Sequence, residues 1–419
     1  MYENIQEPAR AIPIVRETDV LVCGGGPAGI AAAFTARRAG AKVLILERHP
    51  FLGGVWTAGA LTIIIDSEGK SGLNRELVAR LQERSAVSFW SDFPLWPVYG
   101  VEAMKCLLDD MVGELGVDVQ LYTSVAAVER DGNRVTGVYT ESKSGREFVA
   151  AKVVIDTTGD GDVAALAGCP FEHGRPGDGK TQPMTLYGRI GGYRGAPVHI
   201  EPIVSIARAA GFEPSYGRVT LFEQPGQPGV FMLMATHKYG SGIDARNLTK
   251  VEIEARREIR QLVEILKRDG GPDWADVYLI DTGPFIGVRE GRRILGRAYL
   301  THDDIATGRK FDDGICRVGF GVDIHHPDPK EGSGLMNMKT LPYDIPYRCL
   351  LARDIDNLMM AGRCISGDHI AMASYRVTGD ALAMGEAAGL AAAMACDAGV
   401  APPDVDVSEL LARLAKMRD

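Results

Sequence analysis

Val20-Leu21-Val22-Cys23-Gly24-Gly25-Gly26-Pro27-Ala28-Gly29-Ile30-Ala31-Ala32-Ala33, answered by Val43-Leu44-Ile45-Leu46-Glu47, is the stretch on which the fold turns. The four apolar residues before Gly24 read as a buried strand, the glycines as a tight turn, and the alanine-rich run to Ala39 as a helix stopped by Gly40. Residues 42–46 read as a second strand, and strand, turn, helix and strand in that order make a βαβ unit. Gly24, Gly26 and Gly29 fit G-x-G-x-x-G. In that pattern the first glycine permits the turn, the second lets the backbone approach a pyrophosphate, and the third lets the helix pack on the strand. The helix N-terminus, with its unpaired N–H groups and positive dipole end, faces the diphosphate. Glu47 ends the second strand, where an acid accepts hydrogen bonds from a ribose diol. A glycine turn that holds no ligand is the competing account, and the acid at the end of the second strand argues against it.

Downstream, residues 102–115 predict a helix with Met104, Leu107, Leu108, Met111, Val112 and Leu115 on one face and Gly116 as its stop. Short β runs follow at 118–122, 126–130 and 134–141, with Asp131-Gly132-Asn133 as a turn, then an apolar strand at 152–155. This pattern predicts a three-stranded meander feeding back into the main sheet. From about Gly168 to Leu341 the character shifts to glycine- and proline-punctuated β segments, such as 184–190 and 230–235, plus a helix over 248–267. Thr249 and Glu252 match a capping box one residue in, and Val251, Ala255, Ile259, Leu262 and Leu266 form a packing stripe. Residues 354–398 return to βα character, with an apolar strand at 358–361 and an alanine-rich helix to Ala395. The expected architecture is α/β: a Rossmann-type dinucleotide-binding domain, discontinuous over 1–167 and 342–419, with an inserted β-rich α+β substrate domain at 168–341.

Bulk properties exclude several classes. With Lys+Arg 46 against Asp+Glu 55 the net charge is −9, which disfavours a hold on nucleic-acid phosphates or anionic membranes. The first 19 residues carry charges and lack the apolar centre of a signal peptide, and no uncharged apolar run of about 18 residues is apparent later, so a cytoplasmic protein is expected. Cysteines 23, 106, 169, 316, 349, 364 and 396 form no Cys-x-x-Cys pair, so neither a metal site nor a redox-active disulfide is indicated. Fifty glycines in 419 residues exceed the usual share of about 7% and suit a backbone that passes close to a large cofactor.

The glycine turn alone does not choose between NAD and FAD. Glu47-Arg48 followed by Gly53-Gly54-Val55-Trp56-Thr57 resembles the ER…GG stretch of the glutathione-reductase-type superfamily of FAD enzymes, in which the paired glycines pass the pyrophosphate and the next residues run beside the isoalloxazine. Residues 154–162 (VIDTTGDGD) resemble the DATGDGD stretch of the bacterial FAD-dependent oxidoreductase family, and 288–296 (VREGRRILG) resemble its VRETRRIxG. Residues 357–366, Ser374-Tyr375-Arg376 and 385–389 resemble its C-terminal flavin motif. Gly291 stands where that family often has Ser or Thr, so any hydroxyl role there is absent. The resemblance implies FAD as cofactor. It places Gly24, Gly26, Pro27, Ala28, Gly29, Glu47 and Arg48 at the adenosine and pyrophosphate, Gly53, Gly54, Val55 and Trp56 beside the ring, and Thr158, Gly159 and Asp160 at the site's edge. Gly362, Arg363 and Asp368 are assigned to the ribityl chain, and a helix beginning near Ser374, Thr378 or Gly379 aims its amides at the N1 and C2=O region of the flavin, where reduction places negative charge. Packing in a core accounts equally for that helix's buried face. Trp56 and Tyr375 are candidates to line the flavin face or to fill the core.

No second dinucleotide unit is evident, because the aspartates within 159–164 would repel a pyrophosphate. The flavin therefore exchanges hydride with the substrate itself or with a transient electron donor or acceptor. His325, His326 and His369 are candidate bases, each with a structural or surface role as the alternative, and Arg289, with Arg292 and Arg293, is a candidate carboxylate clamp or an ion-pair partner of Glu290. Arg289 and at least one of the three histidines are expected at the cavity. The expected activity is hydride transfer between a small hydroxy, amino or carboxylate compound and flavin N5. Alternatives are a reductase of a C=C or C=N bond, a flavin-bearing subunit of a complex, and an RNA-modifying flavoprotein; a homo-oligomer is compatible with all of them. The charge opposes the RNA reading, and the absence of iron–sulfur cysteine spacing opposes an electron-relay subunit.

Overall fold

Strands with no polar side chain belong in the middle of a parallel sheet, where both faces are covered, and that is where the opening stretch lies. The computed structural model describes residues 5, 7–90, 93–195, 201–331, 335–338 and 340–418; the readings made on the other positions, including most of the extreme N-terminus, lie outside them. β1 (Ile14–Cys23), α1 (Pro27–Arg38) and β2 (Val43–Leu46) form the βαβ unit, with β1 and β2 parallel and Val22 opposite Ile45. β3 (Asp118–Gln120) extends the parallel edge beside β2. β4 (Ser124–Asp131), β5 (Arg134–Ser142) and β6 (Gly145–Asp156) are the meander.

The meander differs from the expected one. Residues 118–120 sit at the opposite edge, and the third strand is the 12-residue β6, whose early half pairs antiparallel with β5 while its length lies parallel to β1. A single long strand thus carries both the hairpin and the central parallel pairing. The sheet order is β3-β2-β1-β6-β5-β4.

Residues 184–288 build a second core around a four-stranded antiparallel sheet. Its strands are β7 (Tyr187–Gly191), β8 (Thr220–Glu223), β9 (Phe231–Met234) and β10 (Tyr278–Thr282), in the order β8-β9-β7-β10. The long helix α2 (Ala245–Asp269) contributes Val251, Ala255, Ile259, Leu262 and Leu266 to the same core. Its cap is not the expected box. Asp244 accepts from Asn247 N at 2.7 Å, while Thr249 lies inside the helix and bonds Ala245 O, and Glu252 accepts from the amide of Ile286. Ile294, Ile305, Ile315, Val318, Val322 and Ile324, within the 168–341 span, pack into the first core.

The chain then passes through β11 (Val322–His325) and returns to the main sheet as β12 (Leu358–Met360), parallel to the end of β6. Two helices follow, α3 (His369–Tyr375) and α4 (Thr378–Ala398), where one was expected, with Arg376 and Val377 between them. α4 is long and apolar enough to cross a membrane by length and composition alone, but 83% of that stretch is buried inside the protein. Its cover is α1. A Cβ on Gly385 would stand 2.2 Å from Ala28 O and one on Gly389 2.1 Å from Ala32 O, so these glycines let two backbones touch. The 385–389 stretch is therefore a helix-packing device. Together α1 and α4 bring both helix N-termini to one side of the sheet.

Candidate active site

Local backbone geometry at the glycine turn separates three roles. Gly24 has φ +104°, a conformation that favours glycine, and a side chain there would strike the Thr157 carbonyl at 2.6 Å. A Cβ on Gly29 would stand 1.8 Å from Gly24 O, so helix and strand meet only because it is missing. Gly26 differs: its φ of −73° suits any residue, and an added Cβ meets only Gly54 Cα at 3.9 Å. Gly26 is the N-cap of α1, no side chain caps that end, and Pro27 opens the helix. The amides of the first turn thus face a cavity.

That cavity has a volume of about 490 Å³ and is continuous from Gly26, Glu47 and Arg48 at one end to Arg289, Asp323 and His325 at the other. At the first end Glu47, 5% exposed, accepts from Gly25 N at 2.7 Å and His49 N at 2.8 Å. Burial raises its pKa, and these two amides partly oppose the shift. His49 stacks on Phe285 with centroids 4.7 Å apart; burial, with the Arg48 charge second, pulls its pKa down to about 4. The Gly53-Gly54 pair lies against the glycine turn, Gly53 N donating to Gly25 O at 2.8 Å.

The floor between the ends comes from the loop after β6. Asp156, fully buried, accepts from Thr158 N, Thr158 Oγ1 and Ala164 N, which folds residues 156–164 into a knot. Burial still raises its pKa to about 6. Thr157 Oγ1 donates to the carbonyls of Cys23 and Gly24, fastening this loop to the glycine turn. Asp160 pairs with Arg363 at 3.0 Å, and both line the cavity with Thr158, Gly159 and Gly362. Gly291 packs where a Cβ would lie 2.8 Å from Asp160 Cα, which accounts for the missing hydroxyl residue there.

The far end carries the densest polar chemistry. Asp323 and His325 alternate along β11 and so share a face, with His325 Nε2 3.4 Å from Asp323 Oδ2. Arg376, in the break between α3 and α4, donates through Nη2 to both the carbonyl and the carboxylate of Asp323 at 2.9 Å. Burial opposes ionisation of Asp323, but the His325 hydrogen bond and the Arg376 charge outweigh it and hold the carboxyl below the usual range. Burial and then the Arg289 charge bring His325 down to about 3, leaving a neutral imidazole. Arg289 donates to Pro183 O at 2.6 Å and Thr185 Oγ1 at 2.8 Å. Tyr187 and Tyr216 line the same end, and burial pushes the Tyr187 phenol up to about 12. Val377, Thr378 and Ala381, at the N-terminus of α4, also line the cavity.

Several expected site residues lie elsewhere. His369 is buried and its Nδ1 contacts Glu290 Oε1 at 3.0 Å, in a network with Arg293, so the arginine-rich stretch divides: Arg289 faces the cavity while Glu290 and Arg293 brace the core. His326 pairs with Glu331 at 3.4 Å, off the cavity, just past the end of β11 at His325. Asp368 caps α3 through Ala371 N and also accepts from His302 N. Ser374 donates to Phe320 O and accepts from Tyr343, inside the core. Gly379 packs against Asp66 O, and Trp56 and Tyr375 are wholly buried, Trp56 edge-on to Tyr99. Sequence reasoning missed Asp323, Tyr187, Tyr216 and His49 as cavity residues, and it quoted Arg376 within the C-terminal motif without giving it a role. For Asp323, its position two residues before His325 in a β run was an available signal; for the tyrosines, which come from separate segments, there was none.

A largely parallel sheet with a glycine turn, an acid at the second strand end and two helix N-termini on one cavity outlines a dinucleotide-binding protein. The chain matches the FAD dependent oxidoreductase family over residues 19–414 and belongs to it, and FAD is its cofactor. It is 35% identical over 161 residues to thiamine thiazole synthase of Methanococcus aeolicus, covering 35% of this chain and 57% of that protein. The thiamine thiazole synthase of Sulfolobus acidocaldarius is 29% identical over 161 residues, 36% of this chain and 59% of that protein. The matched stretch thus spans less than two thirds of these relatives. Among solved structures, p-nitrophenol 4-monooxygenase PnpA from Pseudomonas putida superposes with a TM-score of 0.53 at 13% identity, over 96% of this chain and 88% of that one. The flavin-dependent brominase Bmp2 gives 0.51 at 13% identity, over 96% and 83%. At such identities the likeness is one of fold.

Proposed function

We propose that this enzyme, of the glutathione-reductase-type group, oxidises a small organic substrate carrying a hydroxyl or amino group beside a carboxylate. The observation that carries the reading is the single cavity joining the Gly26–Glu47 end to the Arg289–His325 end. The amides of the first turn of α1, opened by Gly26, hold the diphosphate of FAD; Glu47 takes the adenosine ribose; Gly362, Arg363 and Asp160 border the ribityl chain; and the N-terminus of α4 serves the ring. Bound FAD supplies a two-electron acceptor that takes hydride at N5. The protein's own groups do the rest. Arg289 orients an anionic group, and Thr185 and Pro183 hold the guanidinium in place. His325, neutral and hydrogen-bonded to Asp323, accepts the proton of the reacting hydroxyl or amine, and Asp323, anchored by Arg376, steadies the charge it gains. An anion against Arg289 would offset the second-largest of the influences that depress His325, so the base strengthens when the correct substrate is bound. A base without its proton favours substrate oxidation over reduction of a C=C or C=N bond, which needs a proton donor.

The test is direct. Purified protein should be yellow and release FAD, not FMN, on denaturation. Anaerobic mixing with 2-hydroxy and 2-amino acids should bleach the flavin, and the speed of reoxidation in air separates an oxidase from a dehydrogenase. A colourless protein that does not take up FAD overturns the cofactor placement; failure of every such acid to bleach bound FAD overturns the substrate reading.

A further inference from the structure

The cluster around Arg289 is charge-unbalanced. Arg289 and Arg376 bring two positive charges to the far end of the cavity, Asp323 brings one negative charge, and Asp323 is already committed to Arg376 and His325. Arg289 pairs with no carboxylate among the described residues; its Nη1 donates to one carbonyl and one hydroxyl, and the rest of the guanidinium fork is left for a ligand. Arg289 is partly buried, and a charge held away from water without a counter-ion favours an anionic ligand. A second, independent observation lies beside it: His325, 5% exposed, lines the cavity with Nδ1 unpartnered, and Nε of Arg376 is also buried without a partner. Unsatisfied polar atoms on side chains that line a cavity point to a polar ligand beside them. The wall that continues from this cluster is of the opposite character, formed by Leu61, Ile63, Trp96, Phe222 and Met234. These residues come from the seam where the second sheet meets the first core.

We propose that this end of the cavity is a receptor for a monocarboxylate with a flat apolar or aromatic body, the carboxylate on Arg289 beside His325 and the body against the Trp96–Phe222–Met234 wall. The inference rests on the reading above and narrows it from small organic acids to acids with an apolar body. One net positive charge matches one carboxylate, and a planar guanidinium fork donates two parallel hydrogen bonds to it. A phosphate carries more charge than the cluster balances and is the disfavoured occupant.

The experiment is calorimetric titration of FAD-loaded enzyme with benzoate, benzamide, cyclic-free acetate and phenyl phosphate, read beside flavin content and the flavin absorbance spectrum. Benzoate should bind and perturb the spectrum; benzamide, of the same shape without charge, should bind at least tenfold more weakly, about 1.4 kcal/mol. Acetate should bind more weakly than benzoate, since it lacks the body. Arg289→Gln should remove the preference for benzoate over benzamide while flavin content stays at the wild-type level, and Arg289→Lys should restore part of it. Equal affinity for benzoate and benzamide, no binding of benzoate, or tighter binding of phenyl phosphate overturns the proposal, and the wild-type comparison decides it even if the Arg289 variants do not fold. A wild-type protein that takes up no FAD sinks the cofactor placement instead, a separate result visible before any titration.

Discussion

Gly26→Ala is the substitution on which the placement of FAD is most exposed. An added Cβ at Gly26 meets nothing closer than Gly54 Cα at 3.9 Å, and the backbone there, φ −73° and ψ −172°, is open to any residue. The protein itself should therefore tolerate the methyl. Loss of a glycine N-cap costs at most about 1 kcal/mol, and the reduced freedom of the unfolded chain returns about 0.4–1 kcal/mol. The melting temperature of the FAD-free protein should shift by no more than about 2–3 °C. Binding should respond quite differently. A methyl that holds the diphosphate away from the first-turn amides of α1 weakens charge-assisted hydrogen bonds worth about 1.5–3 kcal/mol each, roughly tenfold to a hundredfold in Kd for every bond lost. Gly29→Ala is the control: its Cβ would lie 1.8 Å from Gly24 O and 2.8 Å from Thr157 Oγ1, so helix and strand must part and the fold itself should lose about 3 kcal/mol. Flavin-to-protein ratio, FAD titration of the stripped proteins and thermal scans of both variants separate the two effects. Stoichiometric FAD with unchanged Kd in Gly26→Ala, or equal destabilisation of the two FAD-free variants, would refute the reasoning.

Glu47→Ala should weaken FAD binding by about 1.5–3 kcal/mol and also lower the stability of the stripped protein, because Glu47 holds the amides of Gly25 and His49; FAD titration and urea unfolding measure the two losses. His325 sits near 3 in the folded protein against an ordinary 6.5, so the unfolded chain takes up its proton first and the stability tied to neutral His325 is complete above pH 6.5 and lost as pH falls toward 3. His325→Phe should accordingly flatten the pH dependence of urea unfolding between pH 6 and pH 4. Asp156 acts with the opposite sign, since its raised pKa of about 6 makes stability increase as pH falls from 6 toward 3.8. Gly389→Leu should cost about 3 kcal/mol or more by forcing α4 off α1, visible as insoluble or flavin-poor protein. His325→Asn should keep FAD absorbance and slow anaerobic flavin reduction by about 10²–10⁴-fold, whereas His326→Ala should change neither.

The order of elements around Gly24 and Glu47 was legible in the sequence because each carries a local signal: an apolar run for a buried strand, glycines where backbones meet, an acid at a strand end. The same holds for α2 and α4, although their ends were set by Asp244 and by the break at Arg376–Val377, which depend on what lies beside them. At the cavity's far end the sequence offered Arg289 and His325 as separate candidates, without their common setting. Arg289, His325, Arg376 and Tyr187 come from separate segments, and their meeting depends on how the second core seats against the first. The end of β11 at His325 decides that His325 lines the cavity beside Asp323 while His326 turns to Glu331, and that end is set by the surrounding packing. His369 shows the same division, since its neighbour in space, Glu290, makes it part of a buried network. Sequence by itself determined the cofactor-binding scaffold, whose signals are contiguous; the tertiary structure decided which charged side chains share one cavity, because long-range packing alone brings them together.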